Sequence, residues 1–287
     1  MIRPAFHTEH GKAAEDDLLQ SLLLMEVNPH GFSYVVLQQV RQEILDAKYY
    51  ALPGPDGKSL AERLRYIIDE DEVLRARFRQ SIVLYNFADS LVVPDASYHL
   101  EINRDLVELT YGAVSKGLVL SEKIPGHDAH NVYRIAPDIH AVFQQKFTAG
   151  KYWHIYSLWL SSLKNFPPSA NEDAVDVQLH AMFYPDKMLI SLYKDGNLQL
   201  VQTFSYQVPE DAVYFLLNAC RQLECSPEKI ILVVSGYVQH DSPLVTEIKK
   251  YFLHCELDEV PQSFSSELFS PLPVHFFSPL LKMALCV

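Results

Sequence analysis

The sequence predicts an α/β fold made of two copies of one unit, each a mixed β-sheet flanked by helices. Three observations predict it. First, residues 25–52 and 181–208 read as the same three-strand meander, 156 positions apart and without a gap. Asn28-Pro29-His30-Gly31 falls on Tyr184-Pro185-Asp186-Lys187, Phe32–Leu37 on Met188–Tyr193, and Glu43–Leu52 on Gln199–Val208, with Ile44 over Leu200 and Tyr50 over Tyr206. Second, each meander runs into a helical pattern, a short apolar strand and a further helix, which gives a mixed rather than an all-antiparallel sheet. Third, Ile230–Val234 is a continuous apolar run, as expected of a strand covered on both faces.

In order along the chain, residues 1–17 are polar and predict a loose start. Leu18–Val27 reads as a strand, and the Pro-His-Gly turn reverses it into Phe32–Val40 and then Glu43–Leu52. Residues 53–57, Pro-Gly-Pro-Asp-Gly, break the pattern. Ser59-Leu60-Ala61-Glu62 has the form of a capping box, and Leu60, Leu64, Ile67, Ile68 and Leu74 keep helical spacing. The acidic run Asp69–Glu72 opposes the helix dipole and predicts a solvated bend near Asp69.

Ser81–Phe87 and Ser90–Pro94 read as sheet, Asn103–Thr110 as helix, and Lys116–Lys123 pairs with Asn131–Ile135 across the His127–His130 loop. Pro137 suits the first position of a helix through Phe147, and Trp153–Leu163 reads as helix. Phe166–Asp173 is the best linker, so the halves are set at 1–170 and 171–287, with the second copy starting at Ala174. There, Lys194-Asp195-Gly196-Asn197 is a hairpin turn, and Pro209 opens a helix striped by Val213, Leu216, Leu217, Cys220 and Leu223. Ser242-Pro243 starts another helix, carrying Leu244, Ile248, Tyr251 and Phe252. Gln262–Pro273 is a Ser- and Pro-rich loop, and the apolar tail from Val274 should dock.

Composition excludes several function classes. The chain has 287 residues, 48% of them hydrophobic, enough for two cores. A net charge of −12 repels phosphate backbones and anionic lipid surfaces, so neither nucleic acid nor membrane is expected as a partner. Every apolar run stops well short of the ~20 residues that span a bilayer, and the first residues carry no signal-peptide core. Cys220, Cys225, Cys255 and Cys286 have neither zinc nor disulfide spacing, which suits reduced thiols in a cytoplasm.

The meander at 18–52, Leu91-Val92-Val93-Pro94, Asn131-Val132-Tyr133-Arg134-Ile135 and the ending from Pro273 to Leu280 together resemble an uncharacterised bacterial family, a domain of unknown function with an actin-like ATPase fold. More broadly, the doubled order resembles the actin, sugar-kinase and heat-shock-ATPase superfamily. The Leu-Val-Val-Pro element also resembles assembly-platform relatives in pilus and type II secretion systems. The resemblance implies two ribonuclease-H-like halves with a cleft between them. In the active superfamily, each half supplies an Asp-x-Gly phosphate hairpin, and a Gly-Gly turn holds adenosine.

This chain departs from that pattern. Its hairpins read Met25-Glu26-Val27-Asn28-Pro29-His30-Gly31 and Met182-Phe183-Tyr184-Pro185-Asp186-Lys187, and each proline removes an N–H donor. Ser235-Gly236-Tyr237 has one glycine where the adenosine turn has two. The motifs therefore do not support ATP or magnesium as cofactors.

The cleft candidates are Glu26, Asn28 and Gly31 in the first hairpin, Asp186 in the second, and Ser235 and Gly236 after the apolar strand. A plain reading stands beside each: edge-of-sheet carboxylates for Glu26 and Asp186, an ordinary strand-to-loop turn for Ser235-Gly236. His127-Asp128-Ala129-His130 lacks a third metal ligand nearby, and His7 and His10 sit in the loose start, so no metal is expected. Tyr152, Trp153, Tyr156 and Trp159 suit core packing first and an interface second. No catalytic residue is assigned. The expectation is a non-catalytic protein of actin-like fold, binding an unknown protein partner or itself. The alternatives are a divergent ATPase or small-molecule kinase using the cleft, and a small-ligand binder without turnover.

Overall fold

The computed structural model describes residues 2–8, 14–52, 54, 57–113, 116–165, 177–261, 264, 269 and 272–287. The chain divides into two compact units, the first built from Met1–Lys164 with Gln262–Leu268 and Met283–Val287, and the second from Asn165–Pro261 with Phe269–Lys282. The linker expected at Phe166–Asp173, the boundary at 170/171 and the second copy's start at Ala174 lie outside the described residues, as does His10.

In the first unit the elements are β1 (Phe6–His7), α1 (Glu15–Leu19), β2 (Leu22–Asn28), β3 (Gly31–Gln38), β4 (Glu43–Ala51), α2 (Leu60–Glu70), β5 (Gln80–Tyr85), β6 (Ser90–Pro94), α3 (Asn103–Tyr111), β7 (Leu118–Lys123), β8 (Ala129–Ile135), α4 (Pro137–Lys146), β9 (Lys151–His154) and α5 (Ile155–Asn165). The main sheet runs β1-β4-β3-β2-β5-β9, and β6-β8-β7 form a separate three-stranded sheet inserted between β5 and α4. The second unit holds β10 (Val177–Phe183), β11 (Lys187–Lys194), β12 (Asn197–Ser205), α6 (Pro209–Gln222), β13 (Ile231–Gly236), α7 (Pro243–Ile248), β14 (His254–Leu257) and, up to Lys282, α8 (Ser278–Leu285). Its sheet, β12-β11-β10-β13-β14, repeats the first sheet's order without the β1 strand.

The duplication reaches the level of register. Val27 faces Phe32 in the first unit as Phe183 faces Met188 in the second. Both third strands carry a bulge at the same place, Leu45 opposite Val36/Leu37 and Gln199 opposite Leu192/Tyr193. The third strands themselves correct the ungapped repeat. Phe32 faces Tyr50, but Met188 faces Phe204, so Tyr50 corresponds to Phe204 and Ile44 to Leu198. Two residues are lost at the turn. β3 and β4 are joined by four residues, β11 and β12 by Asp195-Gly196 alone. Both of those residues have positive φ, 51° and 72°, the tight turn that matches strand twist.

Local signals account for most helix starts. The Ser59 hydroxyl accepts the Glu62 N–H (3.2 Å) and the Glu62 carboxylate accepts the Ser59 N–H (2.7 Å), so the predicted capping box is formed. α2 buries Leu64, Ile67 and Ile68 into a core with Val27, Phe32, Tyr34, Tyr85 and Phe143. Asp211 does the corresponding work for α6, accepting the N–H groups of Gln207 and Val208 at 3.0 and 3.3 Å. The second core gathers Phe183, Ile190, Leu216, Leu232 and Phe252.

Five local expectations are corrected. The start is not loose throughout, because β1 pairs with β4 and residues 15–19 are helical, with Glu15, Asp16 and Asp17 in the first turn where they complement the dipole. β2 therefore begins at Leu22 rather than Leu18. The acidic run 69–72 is no solvated bend, since α2 continues to Glu70 and Asp71 is buried. Trp153 belongs to a strand, and α5 starts at Ile155. α7 ends at Ile248, leaving Tyr251 outside it and exposed.

Candidate functional site

The β2–β3 turn consists of Pro29 and His30. Pro29 has no N–H, and the N–H of His30 donates to the Asn28 side-chain oxygen at 2.9 Å. The His30 carbonyl accepts the N–H of Leu52 at 2.7 Å. Gly31 stands against the Tyr49 ring, where a Cβ would come within 2.9 Å of Cε2. Glu26 lies inside β2 rather than at its tip, alternating away from the face that bears Met25 and Val27. Its buried carboxylate accepts from the Asn86 amide at 2.8 Å. Burial, with Glu26 beside it, raises the pKa of the Tyr49 hydroxyl. Glu26, Asn28 and Gly31 thus gather at one end of the first sheet, each engaged by protein groups.

In the second unit the corresponding turn is Pro185-Asp186, and both residues are exposed. The Tyr184 N–H donates to the Lys187 carbonyl (2.8 Å), the Asp186 carbonyl accepts the Tyr206 N–H (3.1 Å), and the Tyr206 hydroxyl donates to the Tyr184 carbonyl (2.6 Å). Burial pushes the Tyr206 hydroxyl up to about 12, with Asp186 adding to it. Ser235 and Gly236 end β13, both buried, directly beside β10. Gly236 has φ +84°, and a Cβ there would sit 2.3 Å from the Phe183 carbonyl oxygen. That carbonyl accepts the Tyr237 N–H at 2.7 Å. Tyr237 in turn contacts Tyr184 and Phe276, each with ring centroids 5.4 Å away. The glycine is accounted for by a neighbouring strand, and aromatic rings crowd the turn that follows it.

Two buried polar centres went unforeseen in the sequence. Asp71, just past the end of α2, accepts from the Tyr34 and Tyr50 hydroxyls and from Lys48 Nζ (2.9 Å), and also from the N–H groups of Val73 (2.9 Å) and Leu74 (3.3 Å). Asp46 joins through the Tyr34 hydroxyl (3.1 Å), Thr8 (3.3 Å) and His7 Nε2 (2.9 Å). Burial alone would raise the Asp71 carboxyl, but the bonds from Tyr50 and Lys48 and the Lys48 charge together hold it below the usual range. The second centre surrounds Glu122, which accepts from Ser157 Oγ and from the His154 N–H, both at 2.7 Å. Burial lifts its pKa to about 7. The His154 ring accepts the Tyr156 N–H at Nδ1 (3.2 Å) and so donates from Nε2 to the Phe87 carbonyl (2.9 Å).

The other sequence candidates do not converge. His130 stacks on Tyr98 with centroids 3.8 Å apart and bonds Asp95 at 3.0 Å, whereas His127 turns to the Pro125 carbonyl. Among the described residues, no three His, Cys, Asp or Glu side chains gather where a metal ion could bind. Tyr152 stacks on Tyr85, and Tyr156 and Trp159 are buried. No helix among the described residues is long and apolar enough to cross a membrane.

Residues 12–255 match the model of a family described as protein of unknown function (DUF3822), and the chain belongs to that family. No curated protein matches it in sequence. Among solved structures, it is similar to a Bacteroides thetaiotaomicron protein with actin-like ATPase fold and unknown function (TM-score 0.77, 16% identity, 86% of this chain and 94% of that one). It is also similar to a chain of the PilM-PilN type IV pilus biogenesis complex (0.59, 12%, 93% and 98%). A third likeness is to the ethanolamine utilization protein EutJ from Carboxydothermus hydrogenoformans (0.51, 8%, 100% and 93%). At these identities the likeness establishes the fold, which is that of actin-like ATPases.

Proposed function

We propose that this DUF3822 member is a non-catalytic protein of actin-like fold that acts by binding another macromolecule or itself. The observation that carries the reading is the first hairpin, where a proline and an Asn28-capped N–H stand at the turn on which an ATPase of this fold would present donors to phosphate. The glycine of the third expected element supports it, since Gly236 turns its backbone toward Phe183. One neighbour in fold, PilM, is solved in complex with PilN, which favours a protein partner over a substrate. The reading takes ATP and magnesium to be absent from its function and keeps the chain, with four free cysteines, in the cytoplasm.

The test is thermal unfolding with and without millimolar ATP and magnesium. A ligand bound only by the folded chain at 100 times its Kd would add about 2.7 kcal/mol. The expected result is no change in Tm. A rise in Tm together with magnesium-dependent turnover that is lost in Glu26→Gln or Asp186→Asn would establish a divergent ATPase instead.

A further inference from the structure

We infer that Cys220 and Cys225 form a redox pair, closing a reversible disulfide across the C-terminal turn of α6. The inference goes beyond the interaction reading above and stands apart from it. It starts from how α6 ends. The N–H of Cys225 donates to the Cys220 carbonyl at 2.9 Å, and the N–H of Glu224 to the Arg221 carbonyl at 3.2 Å. Leu223 caps the helix, and Glu224 after it has a φ of 53°, in the left-handed region. These two bonds and that dihedral make a Schellman turn, which brings the side chains of its first and sixth residues together. Here both are cysteines.

Backbone geometry alone sets the reach. The 2.9 Å bond, with the covalent distances on either side of it, leaves the two Cα atoms at most about 6.8 Å apart. Disulfides span Cα separations of roughly 4.4–6.8 Å. Both thiols belong to one interior, since Cys220 is part of the second unit's core and Cys225 packs against it. They also sense each other, because burial pushes the Cys220 thiol up to about 12 with Cys225 adding to it. Cys255 packs against the same core from β14. Burial raises its thiol too, but the charges that act on it are Lys249 and Glu256.

Unequal exposure divides the roles. Cys225 is half-buried and Cys220 buried, so a small oxidant, hydrogen peroxide, meets Cys225 first. The Cys225 sulfur attacks a peroxide oxygen, the O–O bond breaks, and one water leaves with Cys225 as its sulfenic acid. Its S–H contact with the Leu223 carbonyl (3.1 Å) is given up in this step. The Cys220 sulfur then attacks the Cys225 sulfur, the S–O bond breaks, and the departing hydroxide leaves as water with the Cys220 proton. One peroxide is reduced to two waters while two thiols become one disulfide. A dithiol reverses the change by two exchanges and is itself oxidised. In a cytoplasm such a bond is transient and redox-sensing rather than structural.

The experiment exposes the folded full chain to hydrogen peroxide, alkylates the remaining thiols and digests the product with trypsin. Trypsin cuts after Arg221, between the two cysteines, so a closed bond joins fragments 195–221 and 222–229. Mass spectrometry should find that linked pair, lighter by two hydrogens than the separate fragments and released by dithiothreitol. In Cys225→Ser the link is lost and Cys220 survives as a thiol. In Cys220→Ser the Cys225 sulfur, lacking its partner, runs on to the sulfinic acid. Cys255→Ala keeps the link. In a glutathione redox buffer the bond should form at least about tenfold more favourably in the folded chain than in concentrated urea, because the turn already holds the sulfurs together. A wild-type chain with both thiols intact overturns the inference, as does a link from Cys225 to Cys255 or to a second chain. A bond no more favoured in the folded chain than in urea overturns it too. None of these outcomes bears on nucleotide or partner binding, so the two proposals fail separately.

Discussion

Lys48 on β4 and Asp71 beyond α2 form an ion pair, Nζ to Oδ2 at 2.9 Å, with both side chains withdrawn from water. The pair ties β4 to the residue that ends α2. A second carboxylate, Asp46, stands 3.7 Å from the same ammonium, so one lysine balances two buried acids. Removing one partner of a buried pair leaves a charge without compensation, at about 3–5 kcal/mol. Lys48→Met should therefore destabilise the first unit by that order, and Lys48→Met with Asp71→Asn by less than the sum of the single changes. A urea-unfolding double-mutant cycle measures this, and additivity would mean the pair is not coupled.

Asp71 also sets an acid limit. Its pKa is lowered on folding, so its contribution is present above the unfolded value and fades as pH falls through the folded one. Asp71→Asn should reduce that loss below pH 4.

The Glu122 carboxyl behaves in the opposite sense. It is lifted to about 7 from 4.5, so between those values the folded chain holds a proton that the unfolded chain has released. The stabilisation is complete below pH 4.5 and lost as pH rises through 7. Glu122→Gln keeps an oxygen for Ser157 and His154 without taking on charge. It should add roughly 1–3 kcal/mol at pH 8 and little at pH 5, read from urea midpoints at the two values. An equal gain at both would mean that charge is not the cause.

His180 closes the window from the acid side. Burial lowers its pKa to about 4, with Lys282 adding and Asp258 opposing. Below the ordinary 6.5 the unfolded chain takes a proton that the folded one refuses, so stability falls with pH until about 4. The full span is worth roughly 3 kcal/mol. His180→Leu should flatten melting temperature against pH between 4.5 and 6.5, and an unchanged slope would assign it to other groups.

The parts of the fold legible in the sequence were those with a local cause. Alternation and the two turns expose the meanders, and Ser59, Pro137 and Ser242 mark helix starts by satisfying or lacking the first donors. The slip in the third strand was invisible because Phe204 and Tyr206 are both aromatic, and a shift of two keeps every side chain on its face. The fifth strands, β9 and β14, are four residues each, and Lys151-Tyr152-Trp153-His154 merges into an apolar helix. Nothing in Asp69–Glu72 says which of four carboxylates turns inward. That is decided by Tyr34, Lys48 and Tyr50, more than twenty positions away. At the candidate site, the residue types of the hairpins were readable, whereas the commitment of Glu26 to Asn86 and of Gly236 to Phe183 is tertiary.

The last relation gives a test that separates a packing glycine from a binding one. At Gly236 an added methyl meets backbone, the Phe183 carbonyl at 2.3 Å, and φ is +84°, a region costly to any L side chain. Neither the strand nor the dihedral can yield without loosening β10 from β13. Gly236→Ala should cost at least about 2 kcal/mol in the second unit. At Gly31 the obstacle is a ring edge, Tyr49 Cε2 at 2.9 Å, and a side chain can swing where a carbonyl cannot. Gly31→Ala should therefore cost less, with the difference visible as separate melting temperatures. If Gly236→Ala melts with the wild type, Phe183 is not what demands the glycine, and a ligand requirement at β13 regains its case.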